Sequence, residues 1–239
     1  MNSYGCGRVI RQFVGEHDLF MERSLILRKV QYKMTAQDVQ NRVTQHLAKL
    51  PWAIQENQFN LFDSHDVSRL HNNTDLAPTA QRAAAIFQFI LVGAASIYYG
   101  DEAGIGGKLG SNEGCRYPMP WHDDFTGKEP YRLYRTLAHC KAAHKSLSRG
   151  GMKFLLADGG IVAIARFTGD EAFVAVISTE ALPRTVCIPF GAIGAEGPEG
   201  AQDVLGTPLA CRKVDENSIA LTVEANQAYL IPCRMKPVK

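Results

Sequence analysis

The sequence has no CxxC pair, no long unbroken apolar run, no block of like charges, no internal repeat and no low-complexity tract. Each absence excludes something. Six cysteines stand apart at 6, 115, 140, 187, 211 and 233. They lack the paired spacing of a zinc site, and their scatter fits reduced structural thiols in a cytoplasm. The longest apolar stretch, Ala83 to Ala95, is interrupted by Gln88 and falls short of the roughly 20 residues that cross a bilayer. Arg8 and Arg11 have no apolar core behind them, which argues against a signal peptide. Acidic and basic residues are interspersed at a net charge of +2, so neither nucleic acid nor an anionic membrane is expected as a partner. A hydrophobic content of 46% over 239 residues excludes disorder and suits one large domain or two small ones.

What is present changes character near Gly150. Gly5, Gly7 and Gly15 break any period in residues 1–34, which give no element. A helix is expected from about 36 to 50. Thr35 and Asp38 form a capping box, and Val39, Val43, Leu47 and Leu50 recur on one stripe. Phe59 to Phe62 reads as a short strand, 79–92 as a buried helix with Pro78 suited to its first turn, and Ala95 to Tyr99 as the next strand. A long glycine-rich loop follows, ending in Arg116-Tyr117-Pro118-Met119-Pro120-Trp121. Loops of this length inside a compact domain are usually functional. A helix from about 129 to 147 should stop at Gly150-Gly151. Beyond it, short β-rich runs at 152–157, 161–167 and 172–178 are separated by Asp158-Gly159-Gly160 and Thr168-Gly169-Asp170, both hairpin turns. Further strands are expected near 184–188, 208–214, 218–223 and 227–231. The reading is α/β followed by all-β: an open β/α unit over 1–150 and an antiparallel domain over 151–239.

Chemistry concentrates at two strand ends. Asn60-Leu61-Phe62-Asp63-Ser64-His65-Asp66-Val67-Ser68-Arg69 closes the first on a His-Asp pair, and Ile97-Tyr98-Tyr99-Gly100-Asp101-Glu102 closes the second on an Asp-Glu pair. Chemistry at the carboxyl ends of successive strands is the habit of β/α barrels. Taken alone, His65-Asp66 also reads as a strand-end turn in which Asp66 caps a helix. Asp101-Glu102 reads first as structural, anchoring loops or pairing with Arg116. Tyr117 and Trp121 read equally as sugar-stacking rings or as packing. His139, Cys140 and His144 share helical spacing, but no carboxylate is expected on that face, so no metal site is expected. A phosphohydrolase built on His-Asp would need further metal ligands on surrounding helices.

The ordered set of Phe-Asp-Ser-His-Asp, a helix, Ile-Tyr-Tyr-Gly-Asp-Glu-x-Gly, Pro-Met-Pro-Trp and an antiparallel domain resembles the α-amylase superfamily of glycoside hydrolases. It looks most like the maltodextrin glucosidase, cyclomaltodextrinase and neopullulanase branch. The resemblance implies the last three β/α units, strands six to eight, of a (β/α)8 barrel followed by a C-terminal antiparallel β-sandwich. It implies Asp66 as the catalytic transition-state stabiliser, and His65 and Arg69 as substrate-binding residues at the same mouth. It also implies an α-glucan oligosaccharide as substrate, retaining cleavage of α-1,4 bonds, and no cofactor. The family's nucleophile lies in Gly-x-Arg-x-Asp and its acid in Glu followed by an aliphatic residue and usually Trp. No Arg-x-Asp occurs here, and neither Trp52 nor Trp121 follows such a Glu. Strands one to five, with both carboxylates, are therefore expected upstream or on a separate chain supplying the N-terminal half-barrel. The chain alone is expected to be inactive. The alternative is a non-catalytic remnant that binds sugar without turnover.

Overall fold

The computed structural model describes residues 9–11, 13–14, 34–65, 69–72, 79–107 and 115–237. Residues 9–11 and 13 are helical and buried, and the Phe13 ring meets Phe87 edge-on at 6.1 Å. Helix α1 spans Ala36–Ala48. Its capping box forms as the sequence implies: Thr35 Oγ1 accepts the Asp38 amide at 3.1 Å, and Asp38 accepts the Thr35 amide at 3.0 Å. Val39 and Val43 turn inward. A short helix, α2 (Trp52–Gln55), leads into strand β1 (Phe59–Asn60). Helix α3 spans Ala80–Ile90 and is buried along nearly its whole length, as its Ala, Ile and Phe content requires. Pro78, expected in its first turn, lies outside the described residues.

Strand β2 (Ala94–Ala95) begins and ends earlier than the apolar run to Tyr99 suggests. It pairs parallel with β1, Phe59 opposite Ala94 and Asn60 opposite Ala95. Gly93 sets this offset. It turns the chain at φ +103°, and a Cβ there would sit 2.6 Å from the Gln58 carbonyl oxygen. Gln88, the polar interruption in the apolar run, reaches from α3 into the pair. Its Nε2 donates to the Asn60 carbonyl at 2.7 Å and to the Ser96 carbonyl at 2.8 Å.

The helix expected over 129–147 breaks in two. Helix α4 spans Glu129–Ala143 and α5 Lys145–Arg149, with His144 extended between them at φ −112°, ψ 122°. Glu171 makes the break. One of its oxygens meets His144 Nδ1 at 2.9 Å, and the other accepts the Ser146 amide at 2.6 Å. A carboxylate therefore does accompany His144, contrary to expectation, arriving from a hairpin 27 residues onward.

Eight antiparallel strands follow. They are β3 (Gly151–Asp158), β4 (Ile161–Phe167), β5 (Ala172–Ser178), β6 (Arg184–Ile188), β7 (Ala195–Pro198), β8 (Ala210–Lys213), β9 (Ile219–Val223) and β10 (Ala228–Met235). They form one sheet ordered β3-β4-β5-β10-β7 and another ordered β6-β9-β8. β7 has no counterpart among the expected strands, because Glu196, Gly197 and Pro198 spell a turn rather than a strand.

The central strands are buried on both faces. Val162 and Ile164 on β4, Phe173, Ala175 and Ile177 on β5, and Ala228 and Leu230 on β10 join one apolar cluster with α1, α3 and α4. The alternate residues Ile161, Ala163, Ala165, Val174, Val176, Tyr229 and Ile231 join a second cluster with Val186 and Ile188 of β6 and Leu221 and Val223 of β9. Period-two alternation thus serves two cores at once, which explains why these strands read as continuous apolar runs.

Cations hold α3 at both ends, against this sheet and against α4. Arg82 donates to the Ala228 carbonyl and to Asp203, both at 3.1 Å. At the other end Lys141 Nζ donates to the Phe89 and Leu91 carbonyls at 2.8 and 3.0 Å, and Arg166 donates to the Leu91 carbonyl at 3.0 Å. These groups meet carbonyls that a helix C-terminus leaves without partners, at the negative end of its dipole.

Candidate functional site

Parallel pairing of β1 and β2 brings the two motif-bearing segments side by side, each leaving its strand in the same direction. The chain from Leu61 to His65 then makes a closed excursion. Asp63 accepts the Leu70 amide on both carboxylate oxygens, at 3.1 and 3.0 Å. This ties the end of the first motif-bearing segment to the Leu70–Asn72 3-10 turn, which carries the chain away. Asp66 lies outside the described residues. His65 is exposed, and its carbonyl accepts from Cys115 Sγ at 3.1 Å and from Arg116 Nε and Nη2 at 3.2 and 3.1 Å.

Arg69 has a different setting from the mouth expected for it. The side chain is 0% exposed. Its Nη1 donates to Asp101 at 2.7 Å, and its Nη2 donates to the Tyr99 carbonyl at 2.7 Å. The guanidinium also lies over the Tyr98 and Tyr99 rings, 4.5 and 5.1 Å from their centroids. Both terminal nitrogens are thus engaged by the protein, while Nε is buried without a hydrogen-bond partner. Gly100 makes room for it. At φ +90°, a Cβ there would meet Ile105 at 2.5 Å and Arg69 Nη2 at 3.2 Å.

Beneath the loop, Arg11 pairs with Asp63 and also donates to the Phe62 carbonyl at 2.9 Å. Arg69 pairs with Asp101. Two cations and two carboxylates thus share a buried space, with both acids 3% exposed. Burial pushes the Asp101 carboxyl well above the ordinary carboxylate range, and the Asp63 charge pushes the same way while Arg69 pulls against both. Burial also raises Asp63, opposed by Arg11, the Leu70 amide and Arg69. Neither acid meets solvent, so both belong to the frame. Asp101 takes the structural role expected of it through Arg69 rather than Arg116, and Glu102 folds back to accept the Gly100 amide at 2.8 Å. Asp63 belongs to the Phe-Asp-Ser-His-Asp motif, but its pairing with Arg11 spans 52 residues and no local pattern reports it.

The model for the alpha amylase catalytic domain matches residues 16–146. The chain belongs to the alpha-amylase family. A cyclomaltodextrinase from a Bacillus species is 38% identical over 125 residues, covering 52% of this chain and 22% of that protein. A cyclomaltodextrinase from Thermoanaerobacter pseudethanolicus is 24% identical over 199 residues, 83% of this chain and 32% of that protein. Neopullulanase 2 from Thermoactinomyces vulgaris is 30% identical over 132 residues, 54% of this chain and 22% of that protein. This chain therefore spans roughly a fifth to a third of the length of these curated relatives. The native debranching enzyme of Nostoc punctiforme superposes with a TM-score of 0.77 at 23% identity, over 97% of this chain and 47% of that one. The fold is that of the α-amylase superfamily.

Among the described residues, no group of three or more His, Cys, Asp or Glu could hold a metal ion, and no helix is long and apolar enough to cross a membrane. Cys115, Cys140, Cys187, Cys211 and Cys233 form no disulfide with one another.

Proposed function

We propose that this chain carries one of the three carboxylates of an α-glucan hydrolase, with Asp66 stabilising the transition state and His65 binding a sugar hydroxyl beside it. The observation that carries the reading is the anchoring on either side of the motif: Asp63 holds the Leu70 amide, three donors hold the His65 carbonyl, and family membership stands behind the motif. An oxocarbenium-like transition state is electron-poor, so a fixed anion beside it lowers its energy. Arg69 supports the turn rather than the substrate. In this reading residues 1–150 correspond to strands six to eight of a (β/α)8 barrel and 151–239 to a C-terminal β-sandwich. The substrate is a maltodextrin-type chain, cleaved at α-1,4 bonds with retention, without a cofactor, in the cytoplasm.

The 239 residues hold neither Arg-x-Asp nor the expected Glu motif, so the nucleophile and acid must come from outside them, upstream or on a partner half-barrel. Alone, this chain binds glucan without turnover. That absence also favours the second reading, a sugar-binding remnant. Incubation of the purified chain with maltoheptaose, following reducing ends, should give no release from wild type or from Asp66→Asn. Release by the wild type that Asp66→Asn abolishes would overturn the expected inactivity. Saturation-transfer NMR should show maltoheptaose binding weakened by His65→Ala. Binding indifferent to both substitutions would remove the site assignment.

A further inference from the structure

One oxygen in the candidate site collects three donors. The His65 carbonyl accepts from Cys115 Sγ at 3.1 Å and from Arg116 Nε and Nη2 at 3.2 and 3.1 Å. Cys115 reaches it from inside the protein, where its side chain is buried, and Arg116 reaches it from the solvent side. Nε and Nη2 lie along one edge of the guanidinium, so two N–H groups converge on a single acceptor, and the positive charge strengthens both bonds. The acids expected to pair with Arg116 are engaged elsewhere. Asp101 accepts from Arg69, and Glu102 accepts the Gly100 amide.

This oxygen belongs to the peptide group that joins His65 to Asp66. A peptide group is planar, so holding its carbonyl sets the direction of the whole group. The loop that does the holding is itself anchored. The Tyr99 hydroxyl donates to the Tyr117 carbonyl at 3.0 Å, one residue beyond Arg116. The Tyr99 ring meets Tyr98 edge-on at 4.7 Å, the Arg69 guanidinium lies over both rings, and the Tyr99 carbonyl accepts from Arg69. Pro118 fixes its own φ and restricts Tyr117 before it. Contacts therefore run without a gap from the buried Arg69–Asp101 pair through Tyr99 and Tyr117 to Arg116 and the His65 carbonyl.

Resting on the function proposed above, we infer that Arg116 is a positioning residue for that site. It acts on an α-glucan through His65 and Asp66, by clamping the peptide between them, and does not touch the sugar itself.

Two measurements on the full chain test this. The first reads the clamp. The sequence has three His-Asp peptides, His17-Asp18, His65-Asp66 and His122-Asp123. Labelling histidine carbonyl carbon and aspartate nitrogen selects their NMR signals, and the signal lost in His65→Ala identifies the one of interest. Arg116→Ala should shift its carbonyl carbon toward lower frequency, as loss of a hydrogen bond does, and Arg116→Lys should shift it less. The second reads the consequence. Arg116→Ala should weaken maltoheptaose binding by roughly 3- to 10-fold, the worth of about one hydrogen bond. Arg116→Lys, which keeps the charge but not the fork, should recover part of that loss. Tyr99→Phe, which frees the loop at Tyr117, should reproduce a smaller part of it. In a His65→Ala, Asp66→Asn background Arg116→Ala should add nothing, because a residue that works through others has no effect once they are gone. A loss that persists at full size in that background means that Arg116 contacts sugar directly, which overturns the positioning role. A carbonyl signal and a binding constant both unmoved by Arg116→Ala, with His65→Ala still weakening binding, overturn it too and leave the proposed function standing. A His65→Ala, Asp66→Asn chain that binds like wild type, or a wild-type chain that binds no maltoheptaose at millimolar concentration, removes the site assignment and the positioning role together.

Discussion

Strands β4 and β5 pair from Ile161 opposite Ser178 to Phe167 opposite Ala172, whereas β1 and β2 share a register of two residues. The contrast runs through everything around them. The C-terminal sheets are held by long main-chain ladders and by alternating aliphatic residues that fill a core on each face. Among its described residues the first half has little ladder to rely on. Its strand ends are fixed by side chains instead: Gln88 across the parallel pair, Asp63 on Leu70, and Arg69 on Asp101 and Tyr99. Aliphatic packing tolerates small errors of shape, while buried charges tolerate the loss of a partner badly. The half that carries the candidate chemistry is therefore the half in which one polar substitution does most damage.

Arg69→Ala tests this most directly. It strands Asp101 beside Asp63 in a buried space and should cost about 3–5 kcal/mol, read as a shift of the urea midpoint. Replacing both partners, Arg69→Met with Asp101→Leu, should recover much of that loss, because no lone charge remains. In the other half, Ile164→Ala on β4 removes fully buried methyl groups from the cluster shared with α1, α3 and α4 and should cost about 2–5 kcal/mol. A double variant no more stable than Arg69→Ala alone would break the comparison, since the loss would then come from packing rather than from stranded charge.

The two halves also differ in how much the sequence discloses. The capping box at Thr35, the hairpins at Gly159 and Gly169 and most strand positions are legible because they rest on local chemistry. The break at His144 is not, because its cause is Glu171, a residue on a later hairpin. β7 is hidden by its own turn-like residues. At the site, the motif points to His65 and Asp66, but the frame below depends on contacts 32 to 52 residues apart. No spacing rule reports that Arg69 turns inward. Its partners, Asp101 and the Tyr99 carbonyl, lie 32 and 30 residues away.

The contact between α3 and α4 inside the first half should respond to pH. Burial, reinforced by the nearby Arg166 charge, lowers Lys141 to about 7, against an ordinary value near 10.4 in the unfolded chain. A cation depressed on folding contributes stability above its unfolded pKa and loses it as pH falls through the folded value. Stability should therefore decline from about pH 9.5 toward about pH 7, by about 1–2 kcal/mol, since a tenfold difference in proton affinity between the folded and unfolded chain is worth about 1.4 kcal/mol. The carbonyls of Phe89 and Leu91 favour the charged form and temper the effect. Lys141→Met keeps the apolar stem and should flatten that slope in urea unfolding at the two pH values. An unchanged slope would place the linkage elsewhere.

The smallest effect sharpens the comparison furthest. Thr35→Ala removes the side-chain acceptor for the Asp38 amide and should cost about 1 kcal/mol. The cap lies where the halves meet, for the next residue, Ala36, donates its amide to the carbonyl of Gly159 in the β3–β4 turn at 2.8 Å. Tryptophan emission reports only the first half, since Trp52 and Trp121 both lie before Gly150, and far-UV circular dichroism is weighted by the sheets as well. Because one apolar cluster spans α1, α3, β4, β5 and β10, the loss should move both transitions together by the same amount. Emission that shifts while the dichroism midpoint stays would mean that the halves unfold separately. The shared cluster would then be contact without cooperativity, and each half would need its own stability.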